Sequence, residues 1–217
     1  GQERRREQQV DAVLREDRDG AARGMRELPD GQAEGDDRHE GEAHAADAMA
    51  ELGDFSTAIL SFEEIITRTP TNELVGRAWI RKGYCQAALG VDDPKRYEEA
   101  MESYKAALSS LQLTPDLRLE AEWRIGLCLE KLDRADEAVE QYVARVVYRY
   151  LEDQTRTGTP DAASAIWFTR AAFAAADVLE KRKEWRGAVR ILQRVIEVGV
   201  PAAHDAQDRI DKIRKEN

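Results

Sequence analysis

Residues 121–142, AEWRIGLCLEKLDRADEAVEQY, decide the fold. Ile125, Gly126, Leu129 and Leu132 recur at three- and four-residue steps, which puts them on one face of a helix. The polar turn Asp133-Arg134-Ala135-Asp136 interrupts the apolar pattern, and Ala138, Val139 and Tyr142 begin a second stripe. The stretch reads as helix, tight turn, helix. A small residue in each helix, Gly126 and Ala138, would let the two backbones approach closely. The rest of the chain reads as variants of this hairpin or caps on it.

The composition agrees with helix. The 217 residues suffice for a sizeable core in one or two domains. They are rich in Ala, Glu, Arg and Leu and only 6% aromatic. A net charge of −10 argues against a nucleic-acid surface, which needs a basic stripe. The excess is uneven: residues 1–52 carry 8 basic and 15 acidic side chains. No apolar run approaches the roughly 18 residues of a membrane span, so no transmembrane segment is expected. No signal-peptide pattern is present.

Residues 1–18 read as a charged helix or arm with a thin stripe of Val10, Val13 and Leu14. Residues 19–41 hold five of the fourteen glycines and the turn Pro29-Asp30-Gly31, and read as a flexible acidic linker. From residue 42 the chain repeats itself. Pro70, Pro115, Pro160 and Pro201 are separated by 45, 45 and 41 residues, each next to an apolar-periodic segment. Two helices lie between successive prolines: 42–52 with 55–68, 72–89 with 95–112, 116–132 with 135–153, and 161–182 with 185–198. A last helix is expected over 202–215.

Several positions recur in register. A small residue in the first helix is Ala46, Gly83, Gly126 and Ala176. An aromatic at the turn is Phe55, Tyr97 and Trp185, with Ala135 departing. An alanine opening the second helix is Ala58, Ala100, Ala138 and Ala188, followed four residues on by Phe62, Tyr104, Tyr142 and Leu192. These residues make the region 40–200 resemble the tetratricopeptide repeat (TPR), a 34-residue helix–turn–helix unit. The spacing here is longer, and Lys82 and Gln86 stand where apolar residues are expected. The long helices resemble bacterial envelope members of the Tol-Pal and outer-membrane assembly kind.

The resemblance implies an all-α fold: a right-handed α-solenoid of about four TPR-like hairpins over 42–200, closed by a capping helix within 201–217. Ala203, Ala206, Ile210 and Ile213 give that helix one apolar stripe. Cys85 and Cys128 fall at equivalent positions, with Ala48 and Val178 as counterparts, and read as fillers of a small apolar slot. Helices one repeat apart stand roughly 10 Å from each other. A disulfide needs Cα atoms within about 7 Å, so free thiols are expected.

A search for chemistry finds little. His39 and His44 are five residues apart, not the four that put two zinc ligands on one helix face. His204 stands apart from them in sequence. Glu63-Glu64 and Glu98-Glu99 are adjacent in helices and point apart. No phosphate loop or nucleophile elbow follows a strand. No catalysis, metal or cofactor is expected.

The family likeness implies a non-catalytic interaction module that binds a protein or peptide in its inner groove. Transferred by register, the groove positions are Arg77, Ile80, Tyr84 and Ala88, then Glu120, Trp123, Leu127 and Lys131, then Arg170, Phe173, Asp177 and Lys181. The partner contacts expected among them are Arg77, Ile80, Tyr84, Trp123, Leu127, Arg170 and Phe173. The alternative is a structural subunit, homo-oligomeric or in a larger complex, that uses convex or edge surfaces. Reduced cysteines suit the cytoplasm, whereas a flexible arm and the envelope likeness favour the periplasm. Removing the capping helix by truncation before Ala202 is expected to expose apolar surface, lowering the melting temperature and the solubility limit in side-by-side measurements.

Overall fold

The computed structural model describes residues 33–68, 74–158 and 161–216. The expected helix over 1–18 and most of the 19–41 linker lie outside them. The described residues form helices joined by short turns: α1 (Ala33–Glu51), α2 (Phe55–Arg68), α3 (Leu74–Leu89), α4 (Lys95–Leu108), α5 (Pro115–Lys131), α6 (residues 135–157), α7 (Ala162–Lys181), α8 (Trp185–Val198) and α9 (Ala203–Glu216). Each odd-numbered helix up to α7 packs against the next even one as a hairpin. The first helices α1, α3, α5 and α7 also touch one another in order. They form the inner layer of an α-solenoid. α9 packs on α8 with Ala206, Ile210 and Ile213 buried.

Three boundaries differ from the sequence reading. α1 starts at Ala33, not residue 42, so Gly35 and Gly41 are helical. α4 ends at Leu108, not 112. The chain turns there so that Leu113 can tuck back under α3 while Leu111 is fully exposed. A methyl group on Gly76 would sit 2.7 Å from Leu113 Cδ1, so the glycine is the seat for that side chain. α6 runs on to Thr157, past the expected 153.

α6 is also not uniform. Ala135–Glu140 is α-helical, Gln141–Val147 is a π-helix and Tyr148–Thr157 is α-helical again. Of its buried residues, Ala138, Tyr142, Val146 and Tyr150 are each four apart, with Val147 beside them. On an α-helix such a stripe drifts about 40° per step. The wider i→i+5 turn rotates less per residue and brings the stripe back onto the core. The Gln141 amide fixes the start of this segment by donating to the Glu122 carbonyl and carboxylate of α5, at 3.1 and 2.5 Å.

Three of the hairpin turns share one geometry. Gly53, Asp133 and Lys183 have φ of 83°, 59° and 61°, in the left-handed region. In each turn the next residue's N–H reaches five residues back: Asp54 to Met49, Arg134 to Leu129 and Glu184 to Leu179, at 3.0, 2.9 and 2.8 Å. This double-bonded C-cap satisfies the terminal carbonyls and reverses the chain. The α3–α4 turn is longer. There Tyr97 covers Gly90, where a Cβ would meet the ring at 2.5 Å.

Within the hairpins, the large second-helix residue seats on the small first-helix one. Tyr104 lies on Gly83 and Tyr142 on Gly126. In the outer hairpins, where Ala46 and Ala176 replace glycine, Phe62 and Leu192 occupy the second-helix position, and all four are buried. The Tyr142 hydroxyl donates to Glu130 Oε1 at 2.6 Å. Burial and that carboxylate hold its phenol far above the ordinary tyrosine range.

The two departures in the second hairpin are both satisfied. Gln86 is buried and accepts from Ser103 Oγ at 2.6 Å. Lys82 Nζ meets Glu63 at 2.9 Å and lies 4.8 Å from the Trp79 ring centroid. Cys85 and Cys128 are free and buried, as expected, and burial pushes both thiols up to about 12. Their counterpart Val178 is buried, but Ala48 in the first hairpin is exposed.

α7 corrects the reading that no run has membrane-spanning character: by length and composition alone it qualifies. Its apolarity serves the core. Phe168, Ala171, Ala172, Ala175 and Ala176 are fully buried, and the helix packs against α5, α6 and α8.

In the buried seat at Gly126, an added Cβ would lie 2.3 Å from the Tyr142 ring. Overpacking of this kind costs about 1–3 kcal/mol and exceeds the ~1 kcal/mol gain in helix propensity. Gly126→Ala is therefore expected to lower the urea midpoint, with a net loss of up to about 2 kcal/mol. Tyr142→Leu, which shortens the side chain opposite, should recover part of that loss in the double variant.

Candidate interaction face

The inner layer and its cap carry one arginine on each of α3, α5, α7 and α9 that reaches back to the inner helix before it. Arg81 on α3 donates through Nε to Asp47 on α1 at 2.7 Å. The Arg124 guanidinium on α5 lies 5.2 Å from the Tyr84 ring on α3. Arg170 on α7 lies 5.4 Å from the Trp123 ring on α5 and 4.8 Å from Trp167 on its own helix. Arg209 on α9 lies 5.9 Å from the Phe173 ring on α7, donates to Glu180 at 2.7 Å and pairs with Asp177. The result is a ladder of guanidinium groups resting on aromatic faces and carboxylates from one end of the described stack to the other.

Its centre is the most enclosed part. Trp123 and Trp167 meet with centroids 5.2 Å apart at 42°. Arg124 touches both rings, at 5.8 and 5.9 Å. Its side chain is only 7% exposed, and it pairs with Glu120 one turn earlier at 2.6 Å. Tyr84 continues the aromatic run to Phe55 in an edge-on contact at 6.4 Å. The Trp123 indole N–H is buried with no acceptor among the described residues. Guanidinium–ring contacts contribute about 0.5–2 kcal/mol each, more when desolvated.

The sequence-derived contacts divide accordingly. Tyr84, Trp123, Arg170 and Phe173 all belong to the ladder. Ile80 does not: it is 1% exposed within the main core, because its place on α3 faces α4 rather than the groove. Leu127 is half-buried and packs against the same core. Arg77 is exposed on α3. Of the other register positions, Glu120 and Asp177 are ion-pair partners of the ladder. Arg124 and Trp167 belong to the ladder although the repeat register does not single them out. Arg124 follows Trp123 directly, and register alone does not show that its long stem crosses to Tyr84. Among the described residues no group of three His, Cys, Asp or Glu side chains gathers as a metal site.

A solenoid of stacked helical hairpins with an inner layer of this kind is the architecture of a helical-repeat protein. Residues 44–117 match the family model for the tetratricopeptide repeat, and hairpins three and four continue the same helical-hairpin architecture. No curated protein matches the sequence. Among solved structures, a tetratricopeptide repeat protein from Parabacteroides merdae aligns with a TM-score of 0.56 at 17% identity, over 82% of this chain and 60% of that one. This chain thus spans three fifths of that protein. A putative kinesin light chain from Podosopora anserina with nearly identical TPR-like repeats aligns at 0.57 and 14% identity, over 82% and 86%. A single-substitution form of that protein gives the same score and identity. These likenesses are of fold. The envelope likeness has no counterpart among these three structures. Repeats of this family generally serve as protein-interaction modules.

Arg124 and Glu120 form a buried pair, so removing Glu120 takes a buried charge partner from Arg124. Breaking such pairs costs about 3–5 kcal/mol. The three rings around Arg124 offset part of this, so Glu120→Ala is expected to cost about 3 kcal/mol in urea unfolding. Glu120→Gln, which keeps an acceptor, should cost less.

Proposed function

We propose that the inner face holds an extended segment of a partner protein, with Tyr84, Trp123, Trp167, Arg170 and Phe173 as its main contacts. The observation that carries this reading is the run of half-buried rings and of guanidinium groups, half-buried at Arg170 and buried at Arg124, along α3, α5 and α7. Rings supply contact area at low entropy cost, and aromatic and arginine side chains dominate binding energy at protein interfaces. The acidic side chains of the ladder are engaged: Asp47 with Arg81, Glu120 with Arg124, and Asp177 and Glu180 with Arg209. The face is therefore near charge balance, and it suits a segment with apolar side chains and backbone carbonyls more than a highly charged one. Arg77 contributes from the rim of the groove.

The test compares wild type with a Tyr84→Ala, Arg170→Ala double variant in affinity capture from native lysate, after circular dichroism shows both folded. A partner recovered by wild type is then titrated against both proteins. Loss of two contacts of this kind is expected to weaken binding by about 30-fold or more. Equal affinity would move the interface to the outer or edge surfaces, as a structural subunit would have it.

A further inference from the structure

A second concavity lies where α5 and α7 begin and α6 ends, and shares no lining residue with the arginine ladder. Its volume is about 320 Å³, at the lower limit for small-molecule sites. Leu113, Pro115 and Leu119 supply much of an apolar wall. Tyr150 lines it and is 3% exposed, stacked on Phe168 at 4.6 Å. Its hydroxyl is buried with no hydrogen-bond partner among the described residues. A stranded hydroxyl is destabilising, and a ligand atom accepting from it would relieve that cost.

The surrounding charge says what kind of atom. Arg118, Arg149 and Arg156 line the cavity against Asp153 and Asp161, an excess of one positive charge. Asp161 is engaged as the N-cap of α7, accepting from the Ala163 and Ser164 amides and the Ser164 hydroxyl. Asp153 lies between Arg149 and Arg156, at 3.2 and 2.9 Å. Arg118 gives one N–H to the Leu108 carbonyl at 3.0 Å, out of the five a guanidinium carries. Burial and the Asp161 charge raise the Tyr150 phenol above its ordinary range, so it stays a donor.

We infer that this cavity binds a carboxylate with an apolar tail, which accepts from the Tyr150 hydroxyl and Arg118 and lays its tail on Leu113 and Leu119. Such a group occurs both on small organic acids and at the C-terminus of a peptide ending in an apolar residue. Both offer the same chemistry to the site.

The experiment is calorimetric titration of the whole chain with four probes: phenylpropanoate, its primary amide, and the peptide Gly-Gly-Gly-Phe as free acid and as C-terminal amide. Wild type is expected to bind at least one acid, with its amide weaker by about tenfold or more. Binding of phenylpropanoate alone identifies a small-molecule site, and binding of the peptide acid identifies a C-terminus site. Tyr150→Phe removes only an unpartnered hydroxyl and keeps the stack on Phe168, so its melting temperature should not fall. Its affinity for the acid should drop by about tenfold or more. The inference is overturned if neither acid binds wild type below about 10 mM, if acid and amide bind alike, or if Tyr150→Phe binds as wild type does.

Discussion

The packing of a tyrosine ring onto bare helix backbone is the contact on which this structure depends. At Gly83 and Gly126 the first helix of a hairpin has no side chain where the second helix brings a ring. The ring fills the space, and the two helix axes can stand close enough for the alanines opening the second helices to be buried as well. Where alanine replaces glycine in the outer hairpins, phenylalanine or leucine replaces tyrosine. The pairs are matched in volume, as a core at crystal-like density requires. Hairpins built this way have a fixed thickness, and the inner layer inherits its spacing from them.

That spacing sets the reach of the arginine ladder. An arginine stem can span from one first helix to the next only because the inner helices stand side by side. Arg124 and Arg170 end on rings, while Arg81 ends on a carboxylate and Arg209 on both. The same contacts tie adjacent repeats together and form the flat aromatic floor on which the proposed function rests. Guanidinium suits the double task because it is planar, weakly hydrated and able to stack while still donating hydrogen bonds. Lysine in these places would keep the charge and lose the stacking.

Most of the architecture is legible in the sequence because its determinants are local and recur. The small-residue, alanine and aromatic positions name the hairpins, and α2, α8 and three of the turns fall where the periodicity puts them. Features that depend on neighbours elsewhere in the chain are not legible. Ile80 satisfies the register of a groove residue, yet faces α4. Leu113 ends α4 early because its seat, Gly76, lies on the preceding helix. The π segment of α6 leaves a trace, an apolar stripe in strict steps of four, which a reading limited to α-helix and strand passes over. Arg124 and Trp167 give no signal, since their importance comes from rings contributed by different helices.

The apolar interior falls into two unequal parts. The larger runs from α3 to α9, while the first hairpin shares only a small cluster with α3, made mostly of alanines with Phe62, Ile65 and Cys85. In a linear array, stability is a sum of repeat and nearest-neighbour terms, so the end with the thinnest seam opens at the lowest free energy. Among the described residues, the smaller apolar cluster of α1 and α2 is therefore expected to open before that of α5 to α8. Both the tryptophan pair and the cavity beside Tyr150 sit in the larger part.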